Sequence, residues 1–121
     1  MLKKLIGAQI LMIDDSIITV KLGDEVHKLE ILSYDGGCCG YADFTTNLLY
    51  SENDIRNPII TNVEFERTGG YCDSSVITFY GEHKPLAIIE CEAGSGSGWY
   101  YGAYVNVHCK SLDIDEDLAS W

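Results

Sequence analysis

The sequence lacks any long apolar run and any recognisable secretion signal. No stretch of the 121 residues approaches the ~20 consecutive apolar side chains that span a membrane. The first six residues carry Lys3 and Lys4, but they lack the long apolar stretch and the small-residue cleavage site of a signal peptide. These absences predict a protein that is made and kept in the cytoplasm.

Positive charge is also scarce. Lysine and arginine number 8 against 19 acidic residues, which gives a formal net charge of -11. Direct binding to a nucleic-acid backbone is therefore disfavoured, because lysine and arginine must neutralise the phosphates. A basic partner is favoured instead, since opposite potentials raise association rates. The alternative is that the acidic surface serves solubility alone.

Motifs of common enzyme classes are absent. The sequence contains no Walker loop, no dinucleotide fingerprint, no HExxH and no Gly-x-Ser-x-Gly. The Gly-Ser repeat at 94–98 precedes a predicted strand rather than a helix, so no helix N-terminus waits there to bind an anion. His108 and Cys109 are neighbours on a predicted strand, so their side chains diverge and a catalytic pair is disfavoured. We therefore expect a protein that is not an enzyme and has no catalytic residues.

Only two prolines occur, and no repeat or linker divides the chain. The length suits one domain over residues 1–121, large enough to bury a core without metals or disulfides. Within it, residues 111–121 are expected to form an acidic C-terminal tail that is solvated or loosely docked.

The apolar residues that are present recur mainly with a period of two, which indicates β-strands. Seven strands are predicted, with a further short one at 41–46; the seven cover 8–13, 17–22, 26–32, 59–67, 75–80, 86–92 and 99–109. In the strand over 59–67, one face carries Ile59, Thr61, Val63 and Phe65, and the other carries Glu64 and Glu66. Residues 46–57 have the spacing of one short helix, which would end before Pro58. The predicted fold is mainly β (α+β with one short helix), with antiparallel meanders forming a curled sheet, a sandwich or a half-open barrel.

The five cysteines are odd in number and include an adjacent pair, Cys38 and Cys39, which is not typical of a secreted disulfide framework. A hairpin turn centred near residues 82–83 would place Cys72 within a residue or two of the position opposite Cys91. With the Gly-rich Cys38-Cys39 loop as third contributor, four thiolates could form a structural zinc site. The alternative is that several of these thiols are small core residues.

A rival set of metal ligands lies at the other end of the same hairpins. If the 94–98 loop centres near Gly96, then His83, His108 and Cys109 come close together. An exposed turn position is the alternative for His83. His27 has no predictable place.

Four short motifs occur in order over residues 5–110. They are Leu5-x-Gly7, an Asp35-containing loop that ends in Cys38-Cys39, Pro58-Ile59, and Gly98-Trp99-Tyr100-Tyr101. In these motifs the chain resembles a family of small β domains met in phages and their bacterial hosts. The family loop tends to carry a histidine before the aspartate and an acid after the second cysteine, where this chain has Ser33-Tyr34 and Gly40. The resemblance implies a phage or prophage origin and assigns no reaction.

The resulting hypothesis is a phage-encoded inhibitor of a host defence protein, such as an anti-CRISPR protein that binds a Cas9-type nuclease. Such nucleases hold nucleic acid in basic channels, which acidic side chains could occupy to block DNA loading or a conformational step. The predicted contact residues are six acids: Glu64, Glu66, Asp113, Asp115, Glu116 and Asp117. Two alternatives remain open, a domain that sequesters a nucleotide signal and a metal-dependent enzyme with an open zinc position.

Overall fold

The computed structural model describes residues 2–34, 41–50, 58–68, 72–82, 84–94 and 102–121. These residues form nine strands and two single turns of 3-10 helix, η1 (Leu2–Leu5) and η2 (Lys110–Leu112). The strands are β1 (Gln9–Asp14), β2 (Ile17–Leu22), β3 (Glu25–Tyr34), β4 (Tyr41–Leu48), β5 (Asn62–Thr68), β6 (Cys72–Tyr80), β7 (Pro85–Gly94), β8 (Tyr104–Cys109) and β9 (Ile114–Ser120).

The strands form two antiparallel sheets. One has five strands in the order β1-β2-β3-β8-β9, and the other has four in the order β4-β7-β6-β5. Neither sheet closes into a barrel within the described residues, and β7 contacts both β8 and β9 across the interface between the sheets. The prediction of a mainly β, antiparallel, sandwich-like architecture is confirmed.

The core lies between the two sheets, and alternation along each strand supplies it. On β3, Leu29 and Ile31 are buried while the residues between and beside them are exposed. On β7, Ile89 and Ala93 face the core in the same way, and Ile89 pairs with the fully buried Ile77 of β6. Burial of one such large aliphatic side chain contributes about 1.5–3 kcal/mol.

The segment before β5 joins the edges of the two sheets. Ile10 N donates to Pro58 O at 2.9 Å, Gly7 N donates to Ile60 O at 2.7 Å, and Ile60 N donates to Ala8 O at 2.8 Å. Gly7 has a φ of 96°, which favours glycine at this crossing. The Leu-x-Gly and Pro-Ile motifs of the sequence therefore meet in space, although about 50 residues separate them in the chain.

Two expectations about local structure are wrong. The predicted helix over 46–57 does not begin where expected, because Thr46–Leu48 continues β4 and pairs with residues 87–89 of β7; residues 51–57 lie outside the described part of the chain. In the predicted strand over 59–67, the inward alternation does not extend back to Ile59, which is exposed while Ile60 is buried.

The acidic C-terminal segment is a strand rather than a solvated or loosely docked tail. Strand β9 pairs along its length with β8, and its residues Ile114, Leu118 and Ala119 are buried. The reason is that β8 offers a sheet edge and the core offers space for these three side chains, while the acids between them face outward or lie at the margin.

Neither 3-10 turn in the described residues has the length or apolar content of a helix that could cross a bilayer.

Candidate functional site: an acidic sheet face and its groove

Five carboxylates lie on the outer face of the four-stranded sheet. Alternation points Cys91 and Ala93 of β7 into the core, so Glu90 and Glu92 point outward, and both are exposed. The pairing of β4 with β7 places Asp43 opposite Glu92. The pairings of β7 with β6 and of β6 with β5 place Glu64 and Glu66 on the same outer face. We call this set the acidic face; its members are Asp43, Glu64, Glu66, Glu90 and Glu92.

The described outward positions of the acidic face carry no positive charge. Among the described outward positions of β4 to β7, no lysine or arginine occurs; the remaining side chains are uncharged, such as Thr45, Val76 and Ile88. The arginine of β5, Arg67, lies at an inward position and is paired with Asp73. The face therefore presents one sign of charge to solvent, which creates a negative potential over it.

An open groove of about 530 Å³ runs along β5 at the edge of this face. Glu64 and Glu66 line it from β5, and Glu116 lines it from β9. Lys3 and the partly buried Phe65 also line the groove, so its wall carries one positive charge and some apolar surface beside the three carboxylates. Leu2 N donates to Glu116 Oε2 at 3.2 Å, which holds this carboxylate at the groove wall.

The charge on β5 is concentrated enough to affect a neighbouring phenol. Tyr80 OH donates to Glu64 Oε2 at 3.1 Å. This hydrogen bond, together with the nearby charges of Glu64 and Glu66, raises the pKa of Tyr80. Two more open depressions, of about 260 and 460 Å³, involve Asp43 and Glu90 on the opposite half of the face.

The six predicted contact residues separate into three groups. Glu64, Glu66 and Glu116 come together in the groove. Asp117 is engaged within the protein: Arg67 Nη2 donates to its Oδ2 at 2.9 Å. The two other acids, Asp113 and Asp115, are exposed near η2 and on the outer side of the five-stranded sheet, away from the acidic face.

Sequence reasoning missed three members of the face, Asp43, Glu90 and Glu92. Alternation placed Glu64 and Glu66 on one side of their own strand, but it could not show that β4 and β7 belong to the same sheet. The β4–β7 pairing joins residues about 40–50 positions apart, and no turn signal announces such a pairing.

The cysteine prediction is only partly within the described structure. Cys38, Cys39 and the side chain of Cys72 lie outside the described part. Cys91 is buried on the inner face opposite Ser75, not Ser74 as the predicted register had it, and the backbone of Cys72 lies opposite Gly94, three positions or ~10 Å along the sheet. Burial raises the pKa of the Cys91 thiol to about 11.

Among the described residues, no three histidine, cysteine or acidic side chains are arranged to hold a metal ion. The zinc site therefore stays a prediction. In the rival set, His108 is exposed and opposite Glu30, whereas Cys109 is buried in the core, so these two side chains do not share a site; His83 lies outside the described residues.

The structure also brings together a polar cluster that no sequence pattern indicated. His27 is buried on β3, and its Nδ1 lies 2.6 Å from Ser111 Oγ of η2. Its Nε2 lies 3.5 Å from Glu25 Oε2, and Ser111 Oγ also lies 3.4 Å from Cys109 Sγ. The histidine and serine are 84 residues apart in sequence, so only the pairing of β3 with β8 brings them together.

Comparison with models of protein families, with curated proteins and with solved structures finds no match to this chain.

Proposed function

We propose that the protein is a binding protein that docks its acidic face and the adjoining groove on a basic surface of a partner protein. The observation that carries this proposal is the gathering of five carboxylates on one sheet face, with no lysine or arginine at its described outward positions. Potentials of opposite sign steer two surfaces together and suppress wrong partners. The apolar surface of Phe65 in the groove would supply a desolvated contact that slows dissociation.

The resemblance to phage domains gives the proposed partner its class. A host defence protein with a basic channel, such as a Cas9-type nuclease in the host cytoplasm, would present the complementary surface. Bound there, the acidic face would oppose entry of DNA by occupying the channel or by repelling phosphates. The same negative charge argues against the alternative of sequestering a nucleotide, because an anionic ligand would be repelled from the acidic face.

A charge-matched pair of variants tests the proposal. Glu64→Gln/Glu66→Gln/Glu90→Gln neutralises three carboxylates of the acidic face, and Asp14→Asn/Asp24→Asn/Glu30→Gln neutralises three exposed carboxylates elsewhere. Binding of the full chain to purified Cas9, with and without guide RNA, is measured by biolayer interferometry at low and high salt. We expect the acidic-face variant to lose at least about tenfold in affinity and the control to change by less than about threefold.

Equal losses in the two variants would overturn the role of the acidic face, because net charge alone would then explain binding. Absence of binding to Cas9 at low salt would overturn this choice of partner.

A further inference from the structure

We infer that Ser111 is a reactive nucleophile for which His27 is the general base. This inference is independent of the acidic face, because His27 lies on β3 of the five-stranded sheet and the acidic face lies on the outer side of the four-stranded sheet. A nucleophile within hydrogen-bond reach of a base, with the base oriented by a third group, is the recurring signature of covalent catalysis. Ser111 and His27 have the first part of this arrangement, with Ser111 Oγ 2.6 Å from Nδ1, and the exposed Glu25 lies near the other ring nitrogen, with Oε2 3.5 Å from Nε2.

The neighbours of His27 decide which ring nitrogen carries the proton. The negative charge of the Glu25 carboxylate, 3.5 Å from Nε2, attracts a proton there and so favours the tautomer with the proton on Nε2. Nδ1 is then the acceptor, and the Ser111 hydroxyl must donate to it. The remaining lone pairs of Ser111 Oγ can accept from the Cys109 thiol at 3.4 Å. In this tautomer the hydroxyl proton is directed at the base.

The base and the nucleophile differ in their exposure to solvent. His27 is only 4% exposed, which fixes the ring and removes competing water from it. Ser111 is an exposed residue of η2, so its turn is open to solvent, while its oxygen is directed at His27. Lys4 Nζ donates to the carbonyls of Leu112 at 3.3 Å and Asp113 at 2.9 Å, which places a positive charge at the same turn. Such a charge would favour a developing oxyanion at this turn.

The chemistry follows from these positions. Ser111 Oγ would attack the carbonyl carbon of a small activated ester while its proton moves to His27 Nδ1. The tetrahedral adduct would then expel the alcohol, which takes the proton from His27, and leave an acyl-serine. Water would release the acid by the same route, with His27 again as the base. Small, unhindered esters fit best, because the serine lies on an exposed turn.

Covalent labelling of the full chain tests the inference. A small alkyl fluorophosphonate forms a bond from serine Oγ to phosphorus and expels fluoride, and peptide mass spectrometry then locates the adduct. Ser33, which is exposed on β3, is the internal control. We expect Ser111 to react on the order of 100-fold faster than Ser33. This preference should disappear in urea, and Ser111→Ala should abolish the fast reaction while Ser33→Ala leaves it unchanged.

Variants of the other two residues test the proposed roles. His27→Gln should slow the labelling of Ser111, provided that circular dichroism shows a folded chain. Because His27 is buried, Glu25→Gln at an exposed position is the second variant, and it should slow the reaction severalfold without loss of structure. If Ser111 only satisfies the buried imidazole, Ser111→Ala will lower the melting temperature, but Ser111 in the parent chain will react no faster than Ser33. That result would overturn the inference.

Discussion

Arg67 on β5 donates a hydrogen bond of 2.9 Å to Asp117 on β9, and so ties the edge of the four-stranded sheet to the edge of the five-stranded sheet. The same guanidinium binds Asp73 on β6 through Nε, at 3.0 and 2.9 Å to the two carboxylate oxygens. Ser120 completes the link, because its backbone N–H donates to Asp73 at 2.8 Å and its hydroxyl accepts from Arg67 at 3.1 Å. The two sheets are thus joined by a polar clasp as well as by the core.

Removal of the arginine should loosen this clasp. Arg67→Ala would leave Asp73, which is largely buried, with the Ser120 N–H as its remaining bond from the clasp. We expect the free energy of unfolding to fall by about 1–2 kcal/mol, since one partner of a charged hydrogen-bond network is lost. Lys28→Ala, at an exposed position of β3, removes the same charge and should cost less than about 0.5 kcal/mol. Equal losses in urea denaturation would show that Arg67 acts only through net charge.

Asp73 should make part of the stability depend on pH. The hydrogen bonds from Arg67, followed by that from Ser120, lower the pKa of this carboxyl in the folded protein. Its contribution is therefore present above the unfolded value of about 3.9 and is lost as the pH falls through the lower folded value. We expect Asp73→Asn to be less stable than the parent at pH 7, with the difference closing below about pH 4. Urea titrations at pH 7, 5 and 3 measure it, and a difference independent of pH would contradict the assignment.

Much of the strand pattern could be predicted because it is local. The second predicted strand coincides with β2, and the segments that became β1, β3, β6 and β7 differ from the prediction by one to three residues at their ends. Strand β9 was missed because its acids dominate the local composition, while the partner and the core space that stabilise it come from elsewhere in the chain. For the same reason, the order of strands in each sheet could not be read from the sequence.

The role of β9 can be tested through its buried leucine. Leu118 is fully buried, so Leu118→Ala should lower the free energy of unfolding by about 2–5 kcal/mol. Leu32→Ala removes the same atoms from a side chain that is 50% exposed on β3, and it should cost less than about 1 kcal/mol. Thermal or urea unfolding of the two variants gives the comparison. A Leu118→Ala variant as stable as Leu32→Ala would mean that the C-terminal segment is loosely docked in solution.

The candidate site was predictable only where alternation along one strand was enough. Glu64 and Glu66 were assigned to one exposed side and are found there, whereas the contributions of β4 and β7 required knowledge of the sheet order. His27 could not be placed, because its partner Ser111 reaches it through a pairing between distant strands. Asp117 was predicted to contact a partner because it is acidic, but its carboxylate is already bound by Arg67.

Cys91 distinguishes between two interpretations of the cysteines, a zinc site and packing in the core. With a pKa raised to about 11 by burial, roughly one Cys91 thiol in a thousand would be ionised at pH 8, and the core also excludes reagents. We therefore expect iodoacetamide to leave Cys91 unmodified in the native, chelator-treated protein and to modify it in urea, as located by peptide mass spectrometry. If the four-cysteine zinc site forms, the purified protein will instead contain one zinc that Cys91→Ala abolishes and Cys109→Ala, at another buried cysteine, retains. Zinc content that is the same in both variants would leave Cys91 as a packing residue of the core.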